Sequence, residues 1–157
     1  MLDALLVADQ RLFALRNGAW HHPWLDAILP LWRTKTTWIP LYLLLVGLLA
    51  RRYGWRTGWV LLAVGLPVLV ADQTSSSLVK PWVGRVRPGR ALDEVRLLVL
   101  CGGGHSFTSS HACNHFAVVA VLAGLLGRQV PLWLVLLGFG WAGSIAYGQV
   151  YVGVHYP

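Results

Sequence analysis

The chain has 157 residues, of which 56% are hydrophobic and only 12% charged, and its mean hydropathy is +0.57. A soluble domain carries about a quarter charged residues, so these values exclude that class and indicate a single all-α domain embedded in a membrane. The net charge of +7 would suit nucleic acid, yet five cations fall between Lys80 and Arg96, beside a serine-histidine stretch. A local phosphate site, with anionic lipid as a further partner and no nucleic acid, accounts for that placement.

Residues 1–17 place Leu2, Leu5, Leu6, Leu12, Phe13 and Leu15 around one helical face that Asp3, Asp9 and Arg16 interrupt. This pattern predicts a helix lying in the membrane interface, with no cleavable signal. Asn17, Gly18 and His21-His22-Pro23 break it, and a second interfacial segment, Trp24 to Trp32, completes residues 1–33. A transmembrane bundle is expected over 36–157. Thr36 to Ala50 is the first spanning candidate; it is shorter than the roughly 20 residues a span needs, a deficit that snorkelling by Arg51 and Arg52 or upstream extension past Trp32 would cover.

Gly58 to Val79 is the second candidate, apolar at first and polar from Asp72 through Ser77, so that half should face the bundle interior or a wet cavity. Pro81 disfavours helical geometry at Lys80 and predicts a helix end there. A loop rich in glycine and cations runs over 80–111. Ala112 to Gly127 and Val130 to Val154 give the third and fourth spans, joined by a turn at Arg128 and Gln129. The expected architecture is therefore a helical bundle with at least four spanning helices. If Lys80 leaves the membrane on one side, two further crossings bring His155 back to it, beside Arg87 and His111. Arg51, Arg52 and Arg56 favour a cytoplasmic loop after the first span and so a site outside the cytoplasm, in an inner or plasma membrane. The cations on the site side outnumber them and fit this orientation only as ligand-binding groups.

The stretch Ser106 to His115 sets small hydroxyls and a histidine at a helix start, where free N–H groups and the positive dipole end suit a phosphate; a plain serine N-cap has the same look. Lys80 and Arg87 taken alone could equally anchor a helix end among headgroups.

Three pieces occur in order: Lys80 to Pro88 with the spacing KxxxxxxRP, then Thr108-Ser109-Ser110-His111, then Gly148-Gln149 through His155. Together they resemble the type-2 phosphatidic acid phosphatase superfamily of membrane lipid phosphatases, whose motifs are KxxxxxxRP, PSGH and SRxxxxxHxxxD. The resemblance covers Asp72 to Pro157. It implies hydrolysis of a lipid phosphate monoester or pyrophosphate through a phosphohistidine, without metal or other cofactor. His155 would be the nucleophile and His111 the general acid, with phosphate held by Lys80, Arg87, Ser109, Ser110 and Gln149. The motif's Ser-Arg is here Gly148-Gln149, and the lost positive charge is expected from Arg85 or Arg90. The motif's Asp would fall two positions beyond Pro157, so the chain is read as incomplete at its C-terminus. Other readings stay open at this point. They are a non-catalytic headgroup-binding protein, a lipid phosphotransferase, a zinc site from Cys101, His105, Cys113 and His115, and a serine hydrolase using Ser106 or Ser109. No oligomeric state follows from the sequence.

Overall fold

The computed structural model describes residues 2–157, and the side chains from Leu5 onward; Met1 and the side chains of Leu2, of the expected interfacial face, and Asp3, which interrupts it, lie outside them. The described residues form helices joined by loops. Helix α1 (Leu2–Ala14) ends in a wide π-turn over Leu15–Ala19. Helix α2 (Pro23–Trp32) starts with Pro23 in its first turn, where the missing N–H is harmless, and His22 caps it by accepting from Trp24 N.

Four long helices follow. They are α3 (Ile39–Tyr53), α4 (Thr57–Gln73), α7 (Ser110–Leu126) and α8 (Leu132–Tyr151), with short helices α5 (Lys80–Val83) and α6 (Pro88–Ala91) between α4 and α7. Three apolar runs are long enough to cross a membrane, Lys35–Ala91, Ser110–Gln129 and Leu132–Tyr151. The first breaks at Gly54, whose φ of +57° only glycine adopts readily, so it folds as two helices, and the bundle is consistent with the four expected crossings. At 1.5 Å per residue α8 is about 30 Å long, the thickness of a bilayer core. Outward leucines such as Leu43, Leu44, Leu136 and Leu137 are left exposed, as suits a lipid-facing surface.

Contacts set the helix directions. Cys113 and Asn114 at the start of α7 meet Ala71 and Asp72 at the end of α4. His115 stacks edge-to-face on Trp141 of α8, and Tyr42 near the start of α3 lies against both. At the other end Tyr53 donates to Gln129 at 2.9 Å. Neighbouring helices therefore alternate in direction, and the ends of α4 and α8 lie with the starts of α3 and α7. Glycine tightens the α7–α8 packing, since a Cβ at Gly138 would sit 3.0 Å from Val119 Cγ1.

Two boundaries differ from expectation. Helix α3 starts at Ile39 and gains its length downstream, because α2 is a separate helix and a 3-10 turn over Lys35–Trp38 intervenes. The chain also stays helical through Lys80 and Pro81 to Val83. A π-segment over Thr74–Val79 widens the turn before the proline, loosening the ladder that its ring and missing N–H would otherwise break. That segment turns Ser75 inward, where it is buried, so the polar half of the second candidate does face the interior.

A network at the site end fastens the interfacial helices to α8. Buried Asn17 donates to Arg96 O at 2.9 Å and Tyr151 O at 2.8 Å, and accepts from Arg96 N at 2.9 Å. The hydroxyl of Tyr151 donates to Asp26 Oδ1 at 2.6 Å and accepts from His22 N at 3.1 Å, while Asp26 pairs with Arg96. The Arg96 guanidinium bonded to Asp26 holds that carboxyl below the usual carboxylate range. Past Tyr151 the chain turns at Gly153, with φ +85° and only 2.8 Å between a notional Cβ and Arg96 O. Gly153→Ala therefore combines left-handed strain with a backbone clash and should lower the unfolding free energy by more than about 1 kcal/mol. Thermal unfolding in detergent, compared with Gly143→Ala, where a Cβ meets nothing within 4 Å, measures this.

Candidate active site

The site lies where α7 and α8 reach the same end of the bundle. Ser109 is the N-cap of α7, its Oγ accepting from Ala112 N at 3.4 Å. The capping role expected of any serine here is thus real, and it leaves the Ser109 hydroxyl proton and the first two helical N–H groups, of Ser110 and His111, available to an anion. Lys80 Nζ donates to Ser110 Oγ at 2.6 Å, and Ser76 lies 3.0 Å from the same hydroxyl. Ser75 meets Thr108 Oγ1 at 2.5 Å. The π-segment thereby sets a lysine against the positive end of a helix dipole, an arrangement that calls for negative charge.

Arg87 reaches the loop after α8, donating to Val154 O at 3.4 Å, and its Nε is buried without a partner among the described residues. His155 is buried, and its Nδ1 lies against the carbonyl oxygen of Ser106. A carbonyl only accepts, so Nδ1 carries the proton and Nε2 has the free lone pair. Tyr156 N donates to Ser106 Oγ at 3.4 Å, tying the same loop to the next residue. Burial, and after it the charge of Arg87, pushes His155 down to about 4, with Lys80 and His111 also within electrostatic reach. His111, His155, Lys80 and Arg87 are thus brought together.

Gln149 is buried at 1% exposure, and its partner is one that sequence reasoning missed. Arg33, at the end of α2, donates Nε to Gln149 Oε1 at 3.1 Å, while Gln149 Nε2 has no partner among the described residues. Arg33 also lies within electrostatic reach of Arg87 and His111. A cation ending an interfacial helix carries no local signal of a contact 116 positions away. Arg85, expected to supply the charge missing at 149, instead pairs with Asp9 and stacks 3.6 Å from the ring centroid of Tyr156. Cys101, His105, Cys113 and His115 are not gathered into a ligand cluster, and both cysteines are free.

A cavity of about 380 Å³ opens on the flank of His155, lined by Ser106, Thr108 and Ser109 on one side and by Leu12, Ala146 and Val150 among apolar residues on the other. Lys80, Arg87, His111 and Gln149 do not line it, so the cavity adjoins the cationic group without containing it.

The sequence model of the PAP2 superfamily matches residues 56–157. A lipid A 4'-phosphatase of Bacteroides thetaiotaomicron is 31% identical over 163 residues, covering 100% of this chain and 71% of that protein. One from Porphyromonas gingivalis is 26% identical over 160 residues, covering 99% of the chain and 66% of that protein. The chain thus spans about two thirds to seven tenths of these relatives' lengths. In fold it is similar to a PAP2-type phosphatidylglycerolphosphate phosphatase from Bacillus subtilis, with TM-score 0.69 and 24% identity over 98% of this chain and 75% of that one. Aquifex aeolicus LpxE gives TM-score 0.69 and 24% identity over 94% and 82%.

The position of His155 has a consequence for stability. A buried imidazole held neutral down to about 4 resists protonation that the unfolded chain accepts near 6.5, so its contribution is complete above pH 6.5 and is lost as pH falls towards 4. The loss is on the order of 3 kcal/mol at full extent. Unfolding free energies measured between pH 7 and pH 4 should fall more steeply for the wild type than for His155→Gln.

Proposed function

Because this chain belongs to the PAP2 superfamily, we propose that it hydrolyses a membrane lipid phosphate monoester or pyrophosphate through a phosphohistidine on His155. The observation that carries this reading is the His155 tautomer, with Nδ1 on the Ser106 carbonyl, Nε2 free, and Lys80 and Arg87 within electrostatic reach. Nε2 attacks phosphorus, the P–N bond forms, and the bond from phosphorus to the leaving oxygen breaks. His111 delivers a proton to that oxygen, releasing the lipid alcohol or monophosphate. Water then attacks the phosphohistidine, His111 takes its proton, the P–N bond breaks, and inorganic phosphate leaves. Lys80, Arg87, the Ser109 hydroxyl and the N–H groups of Ser110 and His111 hold the phosphoryl oxygens throughout. These groups need no metal to balance a phosphoryl charge.

The apolar cavity beside His155 favours a substrate with an acyl or other hydrocarbon portion. The names of the relatives make a lipid A phosphate the first substrate to assay, with phosphatidylglycerol phosphate second. Residues 1–157 act in this reading as one membrane domain, its site on the non-cytoplasmic face that a cytoplasmic Arg51, Arg52 and Arg56 loop favours.

His155→Ala should abolish both phosphate release and the acid-labile phosphoenzyme. His111→Ala should slow release from lipid substrates by about 10²- to 10⁴-fold, and much less from p-nitrophenyl phosphate, whose leaving group needs no proton. Phosphate release that survives His155→Ala would sink the mechanism. Orientation has its own measurement. Cys101, in the half-exposed loop on the site side, should react with a membrane-impermeant maleimide in intact cells; labelling only after the cytoplasmic face is opened would reverse the assigned topology.

A further inference from the structure

Lys80, Arg87, Arg33 and Lys35 lie within electrostatic reach of His111 or His155, and none has a carboxylate within ion-pair distance among the described residues, although Asp72 is within electrostatic reach of Lys80. The two ion pairs found there, Arg85–Asp9 and Arg96–Asp26, use other arginines. Half-buried like charges repel in a medium less polar than water, so a multiply charged anion bound among them would relieve that repulsion. Lys80 and Arg87 already have assigned roles. Arg33 has none.

Its setting is built rather than incidental. Gln149 takes up Arg33 Nε at 3.1 Å, which leaves both Nη groups of the guanidinium fork with no described partner. Gly148 of α8 packs against α2, where a Cβ would make ordinary van der Waals contact with Arg33 Cβ at 3.5 Å and Leu29 Cδ2 at 3.9 Å. Gln149 Nε2 is itself a buried donor without a described partner. Of the two residues that replace the motif's Ser-Arg, Gln149 orients the arginine.

We propose that Arg33 is a phosphate-binding residue of this site, its guanidinium held by Gln149 so that the Nη groups grip the phosphoryl oxygens. The assignment rests on the phosphatase reading above and extends it: positive charge absent from position 149 is delivered across the interface from α2. Gln149 is then a positioning residue that acts through Arg33. A planar fork matches two phosphate oxygens at once, which a lysine point charge does not.

The test uses the purified protein in detergent, with inorganic phosphate as the calorimetric probe, alongside kinetics on a lipid phosphate and thermal unfolding as a folding control. Arg33→Ala should weaken phosphate binding about 10- to 100-fold, the loss typical of hydrogen bonds to a charged group, and raise KM more than it lowers kcat. Arg33→Lys should fall between the two. Gln149→Ala should weaken binding in the wild-type background and have no further effect in Arg33→Ala. Gln149→Arg introduced into Arg33→Ala should recover affinity, because it returns the guanidinium to the helix. Phosphate affinity unchanged in Arg33→Ala, or no recovery in a folded double variant, would overturn the assignment while leaving hydrolysis by the wild type intact. Conversely, a wild type that binds phosphate through Arg33 yet releases none from any lipid phosphate would sink the hydrolase reading alone.

Discussion

From Gly148 to His155 every residue is buried, in a chain whose long helices otherwise present most of their apolar side chains outward. A buried helix end is a problem in hydrogen bonding. The last carbonyls of α8 have no helical partner, and in an apolar setting each orphan costs free energy comparable to a lost hydrogen bond. Some are satisfied locally, as where Val154 N and His155 N both donate to Gln149 O at 3.2 Å. The Tyr151 carbonyl is satisfied from elsewhere, by Asn17. The interfacial helices are therefore structural members of the site. By supplying Asn17, His22, Asp26 and Arg33 they close the end of α8, and the closed end is what carries His155.

Electrostatics sorts the charges in the same direction. The chain has six acidic residues against thirteen lysines and arginines. Asp9 and Asp26 pair with Arg85 and Arg96, and Asp72 accepts from Asn114 at 3.0 Å. The carboxylates so engaged serve to fasten loops and helices, while Lys80, Arg87 and Arg33, which have no ion-pair partner among the described residues, lie within electrostatic reach of the histidines. Such a division suits the proposed binding of a phosphoryl group, since a resident carboxylate would compete with it for the same donors.

How much of this was legible in the sequence depends on the range of each interaction. Antiparallel spans impose a parity that can be counted along the chain, so Lys80, Arg87, His111 and His155 could be assigned to one membrane end without any coordinates. The serine cap at Ser109 is equally local. Arg33 and Asn17 were not legible, because their partners lie 116 and up to 134 positions away and neither sits in a motif. Arg85 was assigned to the site for the same reason, since its partner Asp9 belongs to a helix that sequence patterning places only loosely. Pro81 misled through a rule that holds for a regular helix; the preceding π-segment changes the geometry to which the rule applies.

The partner of His155 completes the argument. A carboxylate hydrogen-bonded to an imidazole would fix the tautomer and also favour the protonated ring, raising its pKa. The Ser106 carbonyl fixes the tautomer with only a partial charge, too weak to outweigh burial and Arg87, and the ring is held near 4. In the proposed reaction such a histidine attacks as a free base at neutral pH. Positive charge then appears on the ring as the P–N bond forms, while the phosphoryl oxygens keep their negative charge close by. The bound phosphoryl group thus offsets the charge on the phosphorylated ring directly, and the proposed grip of Lys80, Arg87 and Arg33 on that group bears on the step.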